Sequence, residues 1–304
     1  MTNMNRIILI IFILSLLIFS GNVFSQSDVK SPHLLIKYEE LTSPEFMEAV
    51  IESDSTCLIP IGVMEKHGPH LPLGTDLIDV REIALRAAKE EYTIVFPEYY
   101  FSQIFEAKHQ PGTIAYSTQL IFNILQETCQ ELARNGLKKI ILVNGHGGNN
   151  NFLHFFCQAQ LESPKDYSVI LFSPEDDQEV SKQINKLRQT RTGGHADEIE
   201  TSMMLSHRPD LVHTEKAKNQ SGRDLDRLNN IPYGYTGIWW YAKFPNHYAG
   251  DGSHPNKEIG ELTINSRVNQ LVSLIKLLKT DKNIEQLQRN FFKESENPLE
   301  TKQD

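Results

Sequence analysis

The stretch Cys57-Leu-Ile-Pro-Ile-Gly-Val-Met-Glu65-Lys-His67-Gly-Pro-His-Leu-Pro-Leu-Gly-Thr-Asp76 decides the fold. It begins with a continuous apolar run, which is typical of a strand covered on both faces of a parallel sheet. The run passes directly into a loop that carries acidic and imidazole side chains. Functional residues of open α/β sheets collect just beyond the carboxyl ends of the strands. This stretch therefore predicts both a buried strand and a functional site at its end.

Strand-like and helix-like segments alternate along the rest of the chain. The strand-like runs are short and rich in β-branched residues, and they cover 57–62, 92–96, 139–143 and 167–172. The helix-like segments cover 77–91, 118–135, 150–161 and 258–279. This alternation predicts a three-layer α/β sandwich, with a mostly parallel central sheet flanked by helices. We expect a single domain over residues 33–280.

The two ends of the chain differ in character from this domain. Arg6 precedes an apolar run over residues 7–19, and a Val23-x-Ser25 exit follows. The pattern predicts a signal peptide over residues 1–25, and hence a periplasmic or secreted protein that leaves the membrane on cleavage. An uncleaved anchor is the alternative, but the run is shorter than the roughly 18–20 residues that span a bilayer. The charged segment 281–304 predicts a tail that is disordered from Glu294 onward.

Composition and charge exclude several classes of protein. The chain of 304 residues is 39% hydrophobic and 23% charged, which is typical of a folded globular protein. Its net charge of −9 argues against a nucleic-acid partner, which would need a basic stripe. Cys57, Cys129 and Cys157 are too few for a disulfide framework. The favoured interpretation is three buried thiols, and a Cys129–Cys157 bridge in an oxidising compartment is the alternative.

Glu65, His67 and Asp76 are candidate metal ligands. Residues two apart on an extended backbone project to the same side, so Glu65 and His67 can aim at one point. Asp76 follows after a turn-rich stretch. Carboxylate and imidazole groups suit zinc, manganese or iron, and the lack of thiolate argues against a soft copper site. A surface salt bridge in a polar loop is the alternative interpretation.

A second segment, Asn144-Gly-His146-Gly-Gly-Asn-Asn150, also follows a strand-like run directly. Its glycines at 145, 147 and 148 allow positive φ angles and a close approach of the backbone to a ligand. Glycine-rich turns before helices also bind phosphates. This segment matches neither of the common phosphate-binding glycine motifs, however, so His146 is a further candidate metal ligand.

A third segment, Gly193-Gly-His195-Ala-Asp-Glu198-Ile-Glu200, places acidic residues where the first turn of a helix favours them. A helix that starts at His195 puts His195 and Glu198 on one face. A helix that starts later brings Glu200 to the site instead. The spacing leaves this choice open, and a solvated acidic helix start is the alternative. Together the three segments offer more ligands than one tetrahedral ion needs, and a carboxylate such as Asp76 can bridge two ions.

These motifs resemble the creatininase (creatinine amidohydrolase) family in order and spacing. The strings that carry the resemblance are Gly62-x-x-Glu-x-His-Gly-Pro-His-Leu-Pro-Leu-Gly-Thr-Asp76, Asn144-Gly-His-Gly-Gly-Asn149 and Gly194-His-Ala-x-Glu-x-Glu-Thr-Ser202. Phe105-x-x-x-His109-Gln-Pro-Gly-Thr-Ile114 and the glycines at 252 and 260 look like further landmarks. The resemblance covers roughly residues 58–261, and the first string is long and specific.

The resemblance implies a metal-dependent amidohydrolase that cleaves a non-peptide, often cyclic, C–N amide bond of a small molecule. It implies two divalent ions, zinc with manganese or iron as options, and a homo-oligomer, commonly a hexamer. By position, the implied metal ligands are Glu65, His67, Asp76, His146 and Glu200. His195 looks like the catalytic imidazole, and Glu198 is a further candidate for delivering a proton. Glu198 is also the alternative to Glu200 as the last metal ligand.

The sequence departs from creatininase proper after His146. The enzyme that acts on creatinine has a bulky aromatic and then an acidic residue there, whereas this chain has Gly147 and Gly148. Relatives with other substrates share the glycines, so we expect a substrate other than creatinine. Trp239 and Trp240 are interpreted as core or interface packing, with a substrate pocket as the alternative. A dinuclear phosphoesterase, or a secreted metal- or solute-binding protein without activity, are the competing hypotheses for function.

Overall fold

Four parallel strands form the central sheet of the computed structural model, which describes residues 34–301. The strand order is β2-β1-β3-β4. The strands are β1 (Thr56–Ile61), β2 (Ile94–Val95), β3 (Lys139–Asn144) and β4 (Ser168–Phe172). Each coincides with a predicted strand to within about two residues. Since β1 is buried along its whole length and β3 through its middle, the prediction of a parallel sheet covered on both faces is confirmed.

Helices flank the sheet. Those described are α1 (Ser43–Glu52), α2 (Thr75–Glu90), α3 (Thr118–Arg134), α4 (Asn150–Ala159), α5 (Gln178–Leu187), α6 (Glu198–His207), α7 (Trp239–Lys243), α8 (Lys257–Thr280) and α9 (Asn283–Ser295). A short antiparallel pair, β5 (Gly193–His195) with β6 (Ala249–Gly250), lies outside the main sheet. The α/β class predicted from the sequence is confirmed.

The main apolar core lies between one face of the sheet and two helices. Leu58, Ile141 and Val143 of the strands pack with Val80 of α2 and Leu271 of α8. Burying one such aliphatic side chain stabilises the fold by roughly 1.5–3 kcal/mol. This packing presses the N-terminal end of α2 against the carboxyl ends of the strands, where the predicted site residues lie.

Several elements were not predicted, among them β5, β6, α7 and three longer helices. Helix α1 carries a readable signal, because Thr42 and Glu45 form a capping box with Pro44 in the first turn. Helix α5 has an Asp177 cap, whose carboxylate accepts from two backbone amides of the first turn. Helix α9 falls within the segment predicted as a charged tail. The prediction of disorder from Glu294 is therefore wrong as far as Ser295, where this helix ends.

Helix α9 forms because polar side chains attach it to the sheet. The Nε2 group of Gln288 donates to the carbonyl of Tyr167 at 3.1 Å, and the Ser168 hydroxyl donates to the Gln288 side-chain oxygen. Cys57, Cys129 and Cys157 are all free thiols, and Cys57 and Cys129 are buried as the favoured interpretation predicted, whereas Cys157 is only half-buried. The predicted signal peptide, residues 1–25, lies outside the described residues. Within residues 34–301, no helix combines the length and the apolar character that crossing a membrane requires.

Candidate metal centre

The predicted ligands come together because β1 and β3 are parallel neighbours that end side by side. Ile61, at the end of β1, pairs with Asn144, at the end of β3. The loops that follow therefore leave the same edge of the sheet, one with Glu65 and His67 and the other with His146. All three side chains are buried.

Asp76 reaches the same point from the first turn of α2. The helix can come this close because two of the strand-end residues are glycines. A Cβ atom on Gly62 would lie 2.7 Å from the Leu77 backbone nitrogen, and one on Gly145 would lie 2.7 Å from the Asp76 carbonyl oxygen. Any larger residue at either position would force the helix, and the carboxylate of Asp76 with it, away from the sheet.

Asp76 lies between two imidazoles. Its Oδ1 atom is 3.0 Å from His67 Nε2, and its Oδ2 atom is 3.1 Å from His146 Nδ1. The same Nδ1 atom of His146 is also 2.8 Å from Glu65 Oε1. This is the arrangement that a carboxylate bridging two ions would need.

His195 and Glu200 complete the cluster from the third segment. His195 stacks at 4.3 Å between ring centroids from His67, and its Nδ1 atom is 3.9 Å from Glu200 Oε2. Asp197 caps helix α6, which therefore begins at Glu198. Since Ala196 has a left-handed φ of 55°, the chain turns sharply between His195 and the helix. The late helix start is the one of the two predicted geometries that brings Glu200 toward the site.

Glu198 lies apart from this cluster. Its carboxylate is fully buried and accepts from the Gln189 amide at 2.8 Å and from the amide and hydroxyl of Thr190. Through these hydrogen bonds, the carboxylate ties the preceding loop to α6. The expectation that Glu198 supplies a catalytic proton is corrected accordingly, because helix α6 begins too late to turn this side chain toward His195.

The glycines of the second segment act differently from the expectation. Gly145, Gly147 and Gly148 have no positive φ angle. Gly145 is required for the approach of α2, and Gly148 leaves room for side chains, as described below. Backbone freedom is therefore not what the site needs at these positions.

His247 and Glu106 are site residues that sequence reasoning missed. The Nδ1 atom of His247 accepts from Trp240 Nε1 at 2.8 Å. Its Nε2 atom therefore carries the proton, which it donates to Glu65 Oε2. Glu106 Oε1 lies 3.5 Å from His146 Nε2. Glu106 lies away from every described strand, and His247 precedes only the short β6, which the sequence did not predict. No local signal therefore marked either residue, and the left-handed φ of 50° at His247 is visible only in the structure.

The buried carboxylate oxygens of the cluster fit a cation. Glu65 Oε1 and Asp76 Oδ2 lie close to His146 Nδ1 but form no hydrogen bond, and a buried polar atom costs about 1–3 kcal/mol if it stays unsatisfied. Two triplets of side chains each bring their ligand atoms within 4.8 Å of one another. They are Glu65–His67–His195 and Glu65–Asp76–His146. Oxygen and imidazole nitrogen donors at this spacing suit zinc, manganese or iron.

Burial and charge set the protonation of these groups. Burial opposes the charged form of His67, but Asp76 and Glu65 outweigh it and raise the pKa of His67 to about 10. Burial likewise opposes ionisation of Glu65, yet the charge of His146 and the hydrogen bond from His247 hold the pKa of the Glu65 carboxyl well below the usual range. Burial lowers the pKa of His195 to about 3, so this imidazole is neutral. The cluster thus contains one neutral imidazole beside strongly ion-paired groups.

A cavity of about 1150 Å³ opens onto the cluster. Its wall includes Phe105, Trp239, Trp240 and Arg267. Trp240 also meets the His195 ring edge-on, with ring centroids 5.9 Å apart. The two tryptophans therefore line the cavity, which corrects the favoured interpretation of both as core or interface packing.

A parallel α/β sheet with a buried carboxylate–imidazole cluster at its carboxyl edge defines a candidate metallohydrolase. The chain belongs to the creatininase family, since the model described as creatinine amidohydrolase matches residues 39–275. It is 28% identical to creatinine amidohydrolase of Pseudomonas putida over 64% of this chain and 75% of that protein. It is 24% identical to 3-dehydro-scyllo-inosose hydrolase of Thermotoga maritima over 76% of each.

Solved structures share the fold. A crystal structure of creatinine amidohydrolase (creatininase) aligns with a TM-score of 0.69 and 23% identity, over 81% of this chain and 99% of that one. Similar solved structures include a mutant creatininase of Zn-Zn type and a creatininase with Mn. Mycofactocin precursor peptide peptidase of Mycolicibacterium smegmatis is 28% identical over 52% of this chain and 60% of that protein.

Proposed function

We propose that this protein is a metal-dependent hydrolase that cleaves the C–N bond of an amide. The single observation that carries the proposal is the convergence of buried carboxylates and imidazoles from three distant segments, with buried oxygens left unsatisfied. A protein without catalysis would not need a neutral, cavity-facing imidazole beside such a cluster.

Two divalent cations would be held by this chain's own side chains. Glu65 and His146 would bind one ion, His67 and Glu200 the other, and Asp76 would bridge them. Zinc is the expected metal, with manganese or iron as the options that the donor set accepts. Such cations lower the pKa of water toward neutrality and polarise a carbonyl group.

His195 is the residue that moves the proton. Its Nε2 atom lies 2.7 Å from the Lys66 carbonyl oxygen, which can only accept, so Nε2 carries the ring proton. The lone pair is therefore on Nδ1, on the side of Glu200. Nδ1 takes the proton of the attacking water and passes it to the departing nitrogen, because an amide nitrogen leaves poorly as an anion. Glu200 Oε2 accepts from the Ala196 amide, which steadies the turn that carries the ring.

The cavity favours a substrate larger than creatinine. Gly147 and Gly148 replace the bulky side chains that would close it, and about 1150 Å³ exceeds what a single small ring requires. A short peptide or peptide-like amide is the second candidate, which both this volume and the similarity to a peptide peptidase favour. A phosphoester is disfavoured because Arg267 is the only arginine or lysine in the described wall of the cavity.

We also propose that the protein assembles as a homo-oligomer and acts outside the cytoplasm. Ile231, Tyr233, Tyr235 and Ile238 are at least half exposed within one short segment, which a second copy would cover. Export rests on the predicted signal peptide. Sedimentation analysis and N-terminal sequencing of the protein from its native host test these two points.

The function is tested by turnover with and without chelator. Cyclic amides, short peptides and phosphoesters are offered to the purified protein as separate panels. We expect amide hydrolysis that stops with a chelator and returns with zinc or manganese. His195→Ala is expected to keep its metal and lose about 10²–10⁴-fold in rate. Metal analysis that finds well under one ion per chain, or hydrolysis of phosphoesters alone, would overturn the proposal.

A further inference from the structure

The second ring nitrogen of His146 is the feature that the proposed mechanism leaves unexplained. Nδ1 of this ring faces the oxygens of Glu65 and Asp76. An imidazole that offers Nδ1 to a cation carries its proton on Nε2. Yet Nε2 is buried and has no hydrogen-bond partner. A buried N–H group without an acceptor destabilises the orientation that the centre needs.

Glu106 provides the acceptor within reach. Its Oε1 atom lies 3.5 Å from His146 Nε2, just outside hydrogen-bond distance, and its side chain is only about one-fifth exposed. The other carboxylate oxygen, Oε2, accepts from Gln103 Nε2 at 3.0 Å. Gln103 is fixed in turn, because its backbone amide donates to Asn149 Oδ1 at 3.0 Å. The carboxylate is thus held in place with one oxygen free toward the ring.

Gly148 is what allows this pairing. A Cβ atom on Gly148 would lie 2.1 Å from Glu106 Oε1 and 2.4 Å from His146 Nε2, which places it between the two groups. A Cβ atom on the neighbouring Gly147 would meet nothing within 4 Å. Neither glycine has a positive φ. The space that Gly148 leaves is therefore filled by the contact between Glu106 and His146.

We propose that Glu106 is a positioning residue, whose carboxylate accepts the Nε2 proton of His146 and so fixes Nδ1 toward the metal. The proposal rests on the proposed metal centre. A carboxylate behind a ligating histidine fixes its tautomer and ring orientation, and its loss typically weakens metal binding 10–100-fold. Glu106 contributes in this way without itself binding the ion.

The test measures zinc affinity by competition with a chromophoric chelator, together with the proton on Nε2. Glu106→Ala is expected to weaken zinc binding 10–100-fold, and Glu106→Gln, which keeps a neutral acceptor, by less. In the cobalt-substituted protein, we expect an exchangeable hyperfine-shifted signal from the Nε2 proton. His146→Ala removes and so assigns it, and Glu106→Ala shifts it or lets it exchange with solvent.

A matched pair of glycine variants provides the control. Gly148→Ala is expected to weaken zinc binding about tenfold by separating Glu106 from His146, whereas Gly147→Ala is expected to keep the native affinity. Thermal unfolding confirms that each variant is folded. If Glu106→Ala binds zinc within twofold of the native affinity, the positioning role of Glu106 is refuted but the metal centre is not. The same holds if the cobalt-substituted protein lacks the Nε2 proton signal because Nε2 is itself the ligand. A native protein that takes up no ion would overturn the proposed function as well.

Discussion

Replacing Gly145 by alanine tests how the sheet and helix α2 build the centre. The added Cβ would lie 2.7 Å from the Asp76 carbonyl oxygen and 2.8 Å from Val80 Cβ. Both neighbours are rigid, so the start of α2 must move by about 0.7 Å to reach ordinary contact, which exceeds the roughly 0.5 Å that a preorganised site tolerates. Overpacking of this kind costs typically 1–3 kcal/mol. We expect the free energy of unfolding to lie below that of Gly147→Ala by this amount, and zinc affinity to fall with it.

Gly147→Ala is the reference for this experiment, because an added Cβ there meets nothing. In both variants, alanine lowers the conformational entropy of the unfolded chain, which stabilises the folded protein by about 0.4–1 kcal/mol. Since this gain is common to both, the difference between the two variants isolates the steric effect on α2. Urea unfolding in the presence of chelator gives the stability difference, and zinc titration gives the affinity. Equal stability and equal affinity in the two variants would refute the claim that glycine at 145 positions Asp76.

Further predictions concern single side chains. Asp76→Asn should lose bound metal in elemental analysis, whereas Asp79→Asn, one turn along the same helix and paired with His207 rather than the cluster, should retain it; equal loss in both would contradict the assignment. Burial and His67 lower the pKa of His70 from 6.5 to about 4. Between these two pH values the His70 imidazole is protonated in the unfolded state but not in the folded state, so the free energy of unfolding should decline as pH falls from about 6.5 to 4. His70→Gln, measured with chelator, should flatten that decline, and an unchanged slope would refute it. Trp240→Phe removes the donor to His247 and should lower turnover with little change in overall stability.

The fold was largely predictable because its signal is local. Continuous apolar runs and amphipathic segments follow directly from burial, and the ends of β3 and α3 were placed to within about a residue or two. The first two strand-end segments were located for the same reason, since polar residues immediately after a buried strand have few structural explanations. Short capped helices such as α1 were missed because a capping box is a weaker signal than hydrophobic periodicity.

The parts of the site that were not predicted depend on contacts between distant residues. Whether Glu198 or Glu200 faces the cluster is decided by the position at which helix α6 starts, which the Asp197 cap and the left-handed Ala196 set. His247 contacts Glu65 from a position 182 residues away in the sequence. No periodicity or spacing records such a contact. The function of Gly148 is likewise visible only once Glu106 is placed beside it.

The electrostatics of the cluster also determine how a cation binds. The nearby carboxylates of Glu65 and Asp76 favour protons on the imidazoles, and they raise the pKa values of His67 and His146 despite burial. A cation needs the lone pairs of those imidazoles, so its binding must displace these protons. The affinity of the centre therefore rises with pH through the range in which the imidazoles titrate. The buried carboxylates consequently serve twice: they stabilise the folded cluster through imidazolium partners, and they offer the oxygens that replace those partners with metal.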